Sequence, residues 1–377
     1  LWMRKIFRWL LVLIILVTVL VTAGRQIRTS VKTALLLPQV IPSISFKPQE
    51  LFTSAPTRIE VRFPVLDGQQ IADLYIPTGE GKHSAALLFL GVHPAGRNDE
   101  RVVGLAEGLA RSGQIVMVPW SDYMTQGRIR ADDVEVLVSA FQFLQKHPRV
   151  EPERIWMGGF CVGASFSLVA ATDPRISDHV RFVNFFGGYY SAVDLLKSVT
   201  SRSSFYGGAQ EFWNPDSLAK DVMTSHLIES VEDTSEQEKL FDIYESGEMP
   251  SEPIEGFSAQ GMAVQKLLSG VALEEADTLF DQLSPELHQL LSRVSPSSYV
   301  QDIQFPVLIM HDRNDALVPV EESRRLRDGL HGRSDVNYTE FSFFEHMDPT
   351  RPVSKTTFIG DIFKLFLHMQ KMLKLSS

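Results

Sequence analysis

A cysteine set among glycines, where an apolar run gives way to small residues, constrains this chain more tightly than anything else in it. From Ile155 to Ser165 the sequence reads I-W-M-G-G-F-C-V-G-A-S. The segment Gly159-Phe160-Cys161-Val162-Gly163 fits G-x-S-x-G, with cysteine in the serine position. That pattern predicts a buried strand, a sharp strained turn and a helix starting just past Cys161. Side chains two residues to either side would collide with the neighbouring strand and helix, so glycine is required there. Such a turn also aims the N–H groups of the helix start at whatever reacts at the central residue.

Other uses of a glycine-rich strand-to-helix turn fit less well. Gly158 and Gly163 have the spacing of a phosphate-binding loop, but Ala164 stands where its lysine is needed. No G-x-G-x-x-G fingerprint occurs here. A free cysteine can also be no more than a small buried hydrophobe. The motif alone leaves that reading open.

Composition narrows the classes. The chain has 377 residues, enough for a large α/β core, and a formal net charge of −10 with no long basic stripe. This argues against nucleic-acid binding. A single cysteine excludes an intrachain disulfide, and no C-x-x-C or H-E-x-x-H pair points to a metal. We expect no metal and no cofactor.

The N-terminus carries a second signal. Arg4, Lys5 and Arg8 stand at the head of an apolar run from Ile6 to Ala23, 18 residues long. A spanning helix needs about 17 residues or more. Val21-Thr22-Ala23 also resembles a small-residue cleavage site. Residues 1–28 therefore read as a signal anchor, with a cleaved signal peptide and secretion as the alternative. Arg25, Arg28 and Lys32 follow the run, so charge is similar at both ends and barely sets orientation. The expectation is a membrane-anchored chain whose main domain is extracytoplasmic.

Residues 29–57 contain Pro38, Pro42, Pro48 and Pro56 and no clean period. They read as a linker, or as a segment lying on the domain surface. Arg58 to Phe63, a turn at Asp67-Gly68, and Ile71 to Ile76 predict a hairpin. Buried strands are then expected at 85–92, 115–119, 155–158, 180–186 and 306–310, with another at 337–343. Between them lie helical patterns, such as Val134, Leu137, Val138, Phe141 and Leu144. This alternation predicts an α/β fold with a mostly parallel sheet covered on both faces. Residues 58–190 and 301–377 form that core. Residues 191–300 break the pattern and read as a helical cap insertion, with a solvated acidic run at Glu229 to Glu238. The final helix, from about Lys355, is expected to bury Phe358, Ile362, Phe366 and Met369.

Three residue types stand in a telling order at the ends of predicted strands: Cys161, Asp315 in the loop D-R-N-D-A-L-V-P, and His346. Nucleophile, acid, histidine is the chain order of α/β-hydrolases. From about residue 58 to 374 the chain resembles that superfamily, and within it the dienelactone-hydrolase-related proteins, which also carry cysteine at the elbow. The resemblance implies a small-molecule acyl substrate and a Cys161–His346–Asp315 triad, with Asp315 preferred to Asp312 as the acid. His346 would take the thiol proton and Asp315 would orient the imidazole. Val162 and Ala95 are the expected oxyanion donors, since Pro94 has no N–H. Trp120, Tyr123, Tyr189 and Tyr190 follow strand ends and are candidates for the acyl pocket, with core packing as the alternative. One departure stands out. The resemblance implies a glutamate near the end of the early strand, and here that stretch is Leu90-Gly91-Val92-His93. The activity implied is hydrolysis of a carboxylic ester, lactone or thioester. The alternatives are a non-catalytic binding protein on the same fold, and a cysteine-dependent acyltransferase or peptidase.

Overall fold

A computed structural model describes residues 24, 26–41, 44–66, 68–247, 250, 252, 254–344, 346 and 351–377. The apolar run 6–23 and the turn residue Asp67 lie outside the described residues.

Eight strands make one sheet in the order β1-β2-β4-β3-β5-β6-β9-β10. β1 (Thr57–Val65) and β2 (Gly68–Ile76) form the expected antiparallel hairpin, and β2 runs antiparallel to β4 (Gln114–Pro119). β3 (His83–Phe89), β5 (Val150–Phe160), β6 (Val180–Phe186), β9 (Val307–Asp312) and β10 (Val336–Phe341) are parallel to their neighbours. The central strands are almost entirely buried, as continuous apolar runs in a doubly covered sheet should be. β3 stops at Phe89, so the loop after it begins at Leu90 and not past Val92 as the apolar run suggested.

Helices cover both faces. α2 (Asp132–Lys146) and α3 (Val162–Ala171) pack on one side, where their side chains join the larger core cluster. All ten residues of α3 are buried, which fits a helix with no polar face. α1 (Glu100–Arg111) and α11 (Lys355–Leu375) pack on the other, with Trp156 and Phe182 stacked 5.0 Å apart beneath them. α11 turns inward only part of the face its sequence suggested: Met369 is buried and Ile362 packs against the core, but Phe358 is not. Leu365, Met369, Met372 and Leu373 are buried, whereas Phe358 is exposed. Several of its residues are apolar all round, so periodicity alone did not select the face.

Among the described residues the insertion is a cap of six α-helices: α4 (Ala192–Ser201), α5 (Ser217–Glu229), α6 (Thr234–Ser246), α7 (Ala259–Ser269), α8 (Leu273–Phe280) and α9 (Pro285–Arg293). α10 (Val320–Gly329) returns to the core. The cap also holds a short hairpin that the sequence reading did not anticipate, β7 (Ser203–Tyr206) with β8 (Ala209–Phe212), turned at Gly207-Gly208. Leu195, Leu196, Val199, Leu227, Val264 and Leu267 belong to the same buried cluster as Ile155, Phe166 and Phe185. Cap and sheet therefore share one core. The acidic run is only partly solvated: Asp233 caps α6, Glu229 pairs with Arg128, and buried Glu236 accepts from the Ser258 backbone N–H at 2.6 Å.

Residues 29–57 are not a free tether. Residues 26–36 are helical, Leu36 and Ile41 are buried, and buried Gln49 donates Nε2 to the Gly108 carbonyl at 2.9 Å. Pro38 opens the short turn Leu37–Gln39 and Pro48 precedes the turn Gln49–Phe52, and Leu36 and Gln49 touch α1 at Gly108.

Candidate active site

Cys161 sits between β5 and α3 with φ 55° and ψ −135°, a conformation that non-glycine residues rarely hold. Packing on all sides fixes it. A Cβ on Gly159 would fall on the Gly163 carbonyl, and one on Gly163 would fall on the Phe89 carbonyl. The Cys161 N–H donates to the Phe186 carbonyl at 2.9 Å, tying the elbow to β6. Cys161 is 8% exposed and belongs to the buried cluster that runs under the sheet.

Asp315 lies in the loop after β9, and its carboxylate is buried. Its Oδ1 accepts the N–H groups of Leu317 and Val318 at 2.7 and 3.1 Å, which fixes the carboxylate plane. Its Oδ2 is 2.7 Å from His346 Nδ1. The His346 ring also lies close enough to the Cys161 side chain for it to raise the ring's basicity. Burial alone would lower the basicity of His346, but Asp315 and Cys161 together raise its pKa well above 6.5. Burial would likewise push Asp315 up; the facing His346 and His311 outweigh it and hold the carboxyl well below its ordinary value. Asp312 has a separate task. Its Oδ2 accepts from the Phe344 N–H at 2.8 Å and its Oδ1 from the Asn314 N–H at 2.8 Å, so it buttresses the two loops.

His311 was not singled out by the sequence reading. It is fully buried, with Nε2 2.9 Å from the Val318 carbonyl and 3.4 Å from Asp315 Oδ2. Two acceptors at one nitrogen fix the proton there. Its signal was present as the head of the H-D-R-N-D loop, four residues before the acid. Trp213 was also missed. Its indole Nε1 donates to the Asp315 carbonyl at 2.8 Å, and the Asp216 N–H donates to the Ala316 carbonyl at 2.7 Å. The cap is thereby fastened to the acid loop. Nothing in the sequence around Trp213 announces a partner a hundred residues away.

Val162 is the first residue of α3, so its N–H is among the donors a helix start leaves unpaired. Ala95 is exposed, in a turn closed by the Gly96 N–H on the His93 carbonyl. The part of that loop which meets the elbow is Gly91, whose added Cβ would lie 2.5 Å from the Gly163 nitrogen and 3.2 Å from Val162 Cβ. With β3 ending early, Val92 follows that contact directly. His93 is engaged with Asp99, which caps α1, at 3.3 Å.

The four aromatic residues divide. Tyr189 is buried close enough to Cys161 and Glu322 to feel both charges, and burial first, then Cys161, raises its pKa well above 10. Its hydroxyl donates to the Val294 carbonyl at 3.1 Å, so it braces the cap. Tyr190 points at α10, where a Cβ on Gly329 would lie 2.9 Å from its hydroxyl. Trp120 donates Nε1 to Asp73 at 3.1 Å, and Tyr123 lies half-exposed under Arg130. An apolar cavity on the α1–α11 side of the sheet is lined by Leu90, Phe160, Phe186, Met310 and Phe344, and none of the four lines it. For Trp120 and Tyr190 hydrogen bonding and packing explain the aromatic side chain without a substrate.

Among the described residues no cluster of histidine, cysteine and carboxylate side chains could hold a metal ion.

No protein-family profile matches the chain, and no curated protein matches it. Its fold does have counterparts among solved structures. Acylaminoacyl peptidase from Pyrococcus horikoshii is 14% identical over 88% of this chain and 43% of its own, with a TM-score of 0.47. A 2,6-dihydroxy-pseudo-oxynicotine hydrolase is 15% identical over 85% of this chain and 68% of its own, with a TM-score of 0.49. A candidate dipeptidyl aminopeptidase IV from Bacteroides ovatus is 10% identical over 84% of this chain and 36% of its own, with a TM-score of 0.50. The chain thus spans less than half the length of either peptidase. Identities this low speak for architecture alone. The mostly parallel eight-stranded sheet, covered on both faces, is that of an α/β-hydrolase fold.

Proposed function

We propose that the chain is a hydrolase of carboxylic esters, lactones or thioesters that works through an acyl-Cys161 intermediate. The observation that carries this reading is the contact chain Asp315, His346, Cys161, with the Asp315–His346 link at 2.7 Å. His346 takes the Cys161 proton and holds it, since its raised basicity favours the imidazolium. The sulfur attacks the carbonyl carbon. Charge on the carbonyl oxygen is met by the Val162 N–H and a second donor from the loop at Gly91-Val92. The imidazolium then protonates the leaving alcohol or thiol. Water, deprotonated by His346, cleaves the acyl-enzyme and restores the thiol. Asp315 keeps the ring in the tautomer with the proton on Nδ1 throughout. No glutamate approaches from the strand before Gly91, so activation rests on His346 in this reading.

Short and medium acyl nitrophenyl esters and thioesters, assayed beside Cys161→Ala and His346→Ala, test the proposal. Turnover lost in both variants is expected. No turnover in the parent, with Cys161 inert to iodoacetamide, overturns it in favour of a binding protein.

We also propose that residues 6–23 hold the chain at a membrane, with the main domain extracytoplasmic. The support is the sequence: an 18-residue, largely apolar run behind Arg4 and Lys5, with Arg8 inside it. Flotation of the full chain with lipid vesicles tests it, and a chain left at the bottom of the gradient refutes it.

A further inference from the structure

We propose that the outer face of α11 and the helix over residues 26–36 form a second membrane-contact surface, seated on an anionic bilayer. The inference rests on the membrane reading above. α11 buries one side against the sheet and presents Ile359, Phe363 and Leu367 on the other, exposed by 68%, 61% and 46%. Their spacing of four places them on successive turns of one stripe. Single exposed apolar residues are ordinary, and Leu66 and Phe212 are of that kind; a stripe of three large ones is not.

The stripe runs into the N-terminal helix. Gln370, on the same side of α11, donates Nε2 to Ser30 Oγ at 2.7 Å. The helix there leaves Ile27 and Val31 exposed, again four apart. Ile27 follows the apolar run that ends at Ala23 by about one helical turn. A run held in a bilayer therefore brings this face down beside the lipid.

Charge selects the same occupant. The chain carries a net −10, yet α11 and residues 26–36 hold Lys355, Lys364, Lys371, Lys374, Arg28 and Lys32 against Asp361 alone. An apolar stripe rimmed by lysine is the pattern of helices that lie in anionic interfaces. A second copy of the chain would bring two like-charged rims together. The stripe also begins beside the loop that carries His346: Phe358 packs edge-on to Phe343 at 5.7 Å, and Asp361 accepts from the Ser342 N–H at 2.7 Å. Contact of this face would bring the site near acyl groups presented at the lipid surface.

The test uses the full chain with Cys161→Ser, so that a single introduced cysteine carries a fluorophore. Phe363→Cys reports the stripe and Phe212→Cys, on the cap hairpin, is the control. Both are reconstituted into phosphatidylcholine–phosphatidylserine vesicles in which some acyl chains bear nitroxides. Severalfold stronger quenching at position 363 than at 212 is expected, weakening when phosphatidylserine is left out. Equal quenching on vesicles that float with the chain overturns the surface and leaves the tether standing. A label at 363 that is shielded but not quenched also overturns it, in favour of residues 6–23 or a second copy. Failure to float overturns both.

Discussion

Asp315 Oδ2 lies 2.7 Å from His346 Nδ1 and 3.4 Å from His311 Nε2, so one buried carboxylate serves two imidazoles. His346 faces Cys161, and His311 is sealed beneath. Asp315→Asn keeps the shape but turns an acceptor into an amide that cannot hold the tautomer. We expect kcat/KM to fall on the order of 10³–10⁴-fold, as for the corresponding change in a serine triad. Hydrolysis of a nitrophenyl ester checks this, and a loss under tenfold would remove Asp315 from the mechanism.

His311→Phe should act mainly on stability. It strands the Val318 carbonyl and the Ser323 hydroxyl, at 2.9 and 2.6 Å from the ring, in a dry site. An unsatisfied buried polar group costs about 1–3 kcal/mol. Urea unfolding of the variant should show a loss of that order, with kcat/KM reduced less than in Asp315→Asn.

The His346 pairing sets a sign for pH. Its pKa is raised on folding, so the stability it contributes is fully present below 6.5 and is lost as pH rises through the folded value. The melting-temperature advantage of the parent over His346→Gln should therefore shrink as pH rises above 6.5. The same contact predicts that iodoacetamide alkylates Cys161 faster in the parent than in His346→Gln at one and the same pH. Matching alkylation profiles would argue against the ion pair.

Glu322 is fully buried and accepts the N–H groups of Tyr190 and Ser191, each at 2.9 Å, where the chain enters the cap. Burial raises its pKa from 4.5 to about 7, with Arg325 opposing the shift and Asp194 adding to it. A raised carboxyl contributes stability below its unfolded value that is lost as pH climbs through the folded one. Relative to Glu322→Gln, the parent should thus lose about 3 kcal/mol between pH 4.5 and 8, at roughly 1.4 kcal/mol per unit. Denaturation at the two pH values measures it.

Trp213→Phe keeps an aromatic, though smaller, side chain and removes the bond to the Asp315 carbonyl. A net loss of about 1 kcal/mol in stability is expected. If the cap positions the acid loop, kcat should fall while iodoacetamide reactivity of Cys161 is retained. An unchanged kcat would make this contact purely structural.

Gly163→Ala tests the elbow. Its Cβ would land on the Phe89 carbonyl, backbone that cannot step aside. Overpacking of this kind costs about 1–3 kcal/mol or more. A melting temperature within a degree of the parent would mean that the elbow can relax.

Much of this was readable along the chain. The alternation of apolar runs and amphipathic stretches determined an α/β sheet, because a strand buried on both faces has no other composition. The glycines around Cys161 determined the turn, because only glycine fits where β5 and α3 nearly touch. The order Cys161, Asp315, His346 followed from which strand ends bear reactive side chains. The tertiary structure alone decided the rest. It turned α11 to bury Leu365 and Met372 beside the expected Met369 and to leave Phe358 exposed, a choice that several all-apolar turns left open. It ended β3 at Phe89, which brought Gly91 against the elbow at Val162 and Gly163. It laid Leu36 and Gln49 on α1, gave Trp120 to Asp73, and set His311 and Trp213 on Asp315. These are contacts between residues far apart in sequence. Local pattern specifies which side a residue prefers, but not which distant group it will find there.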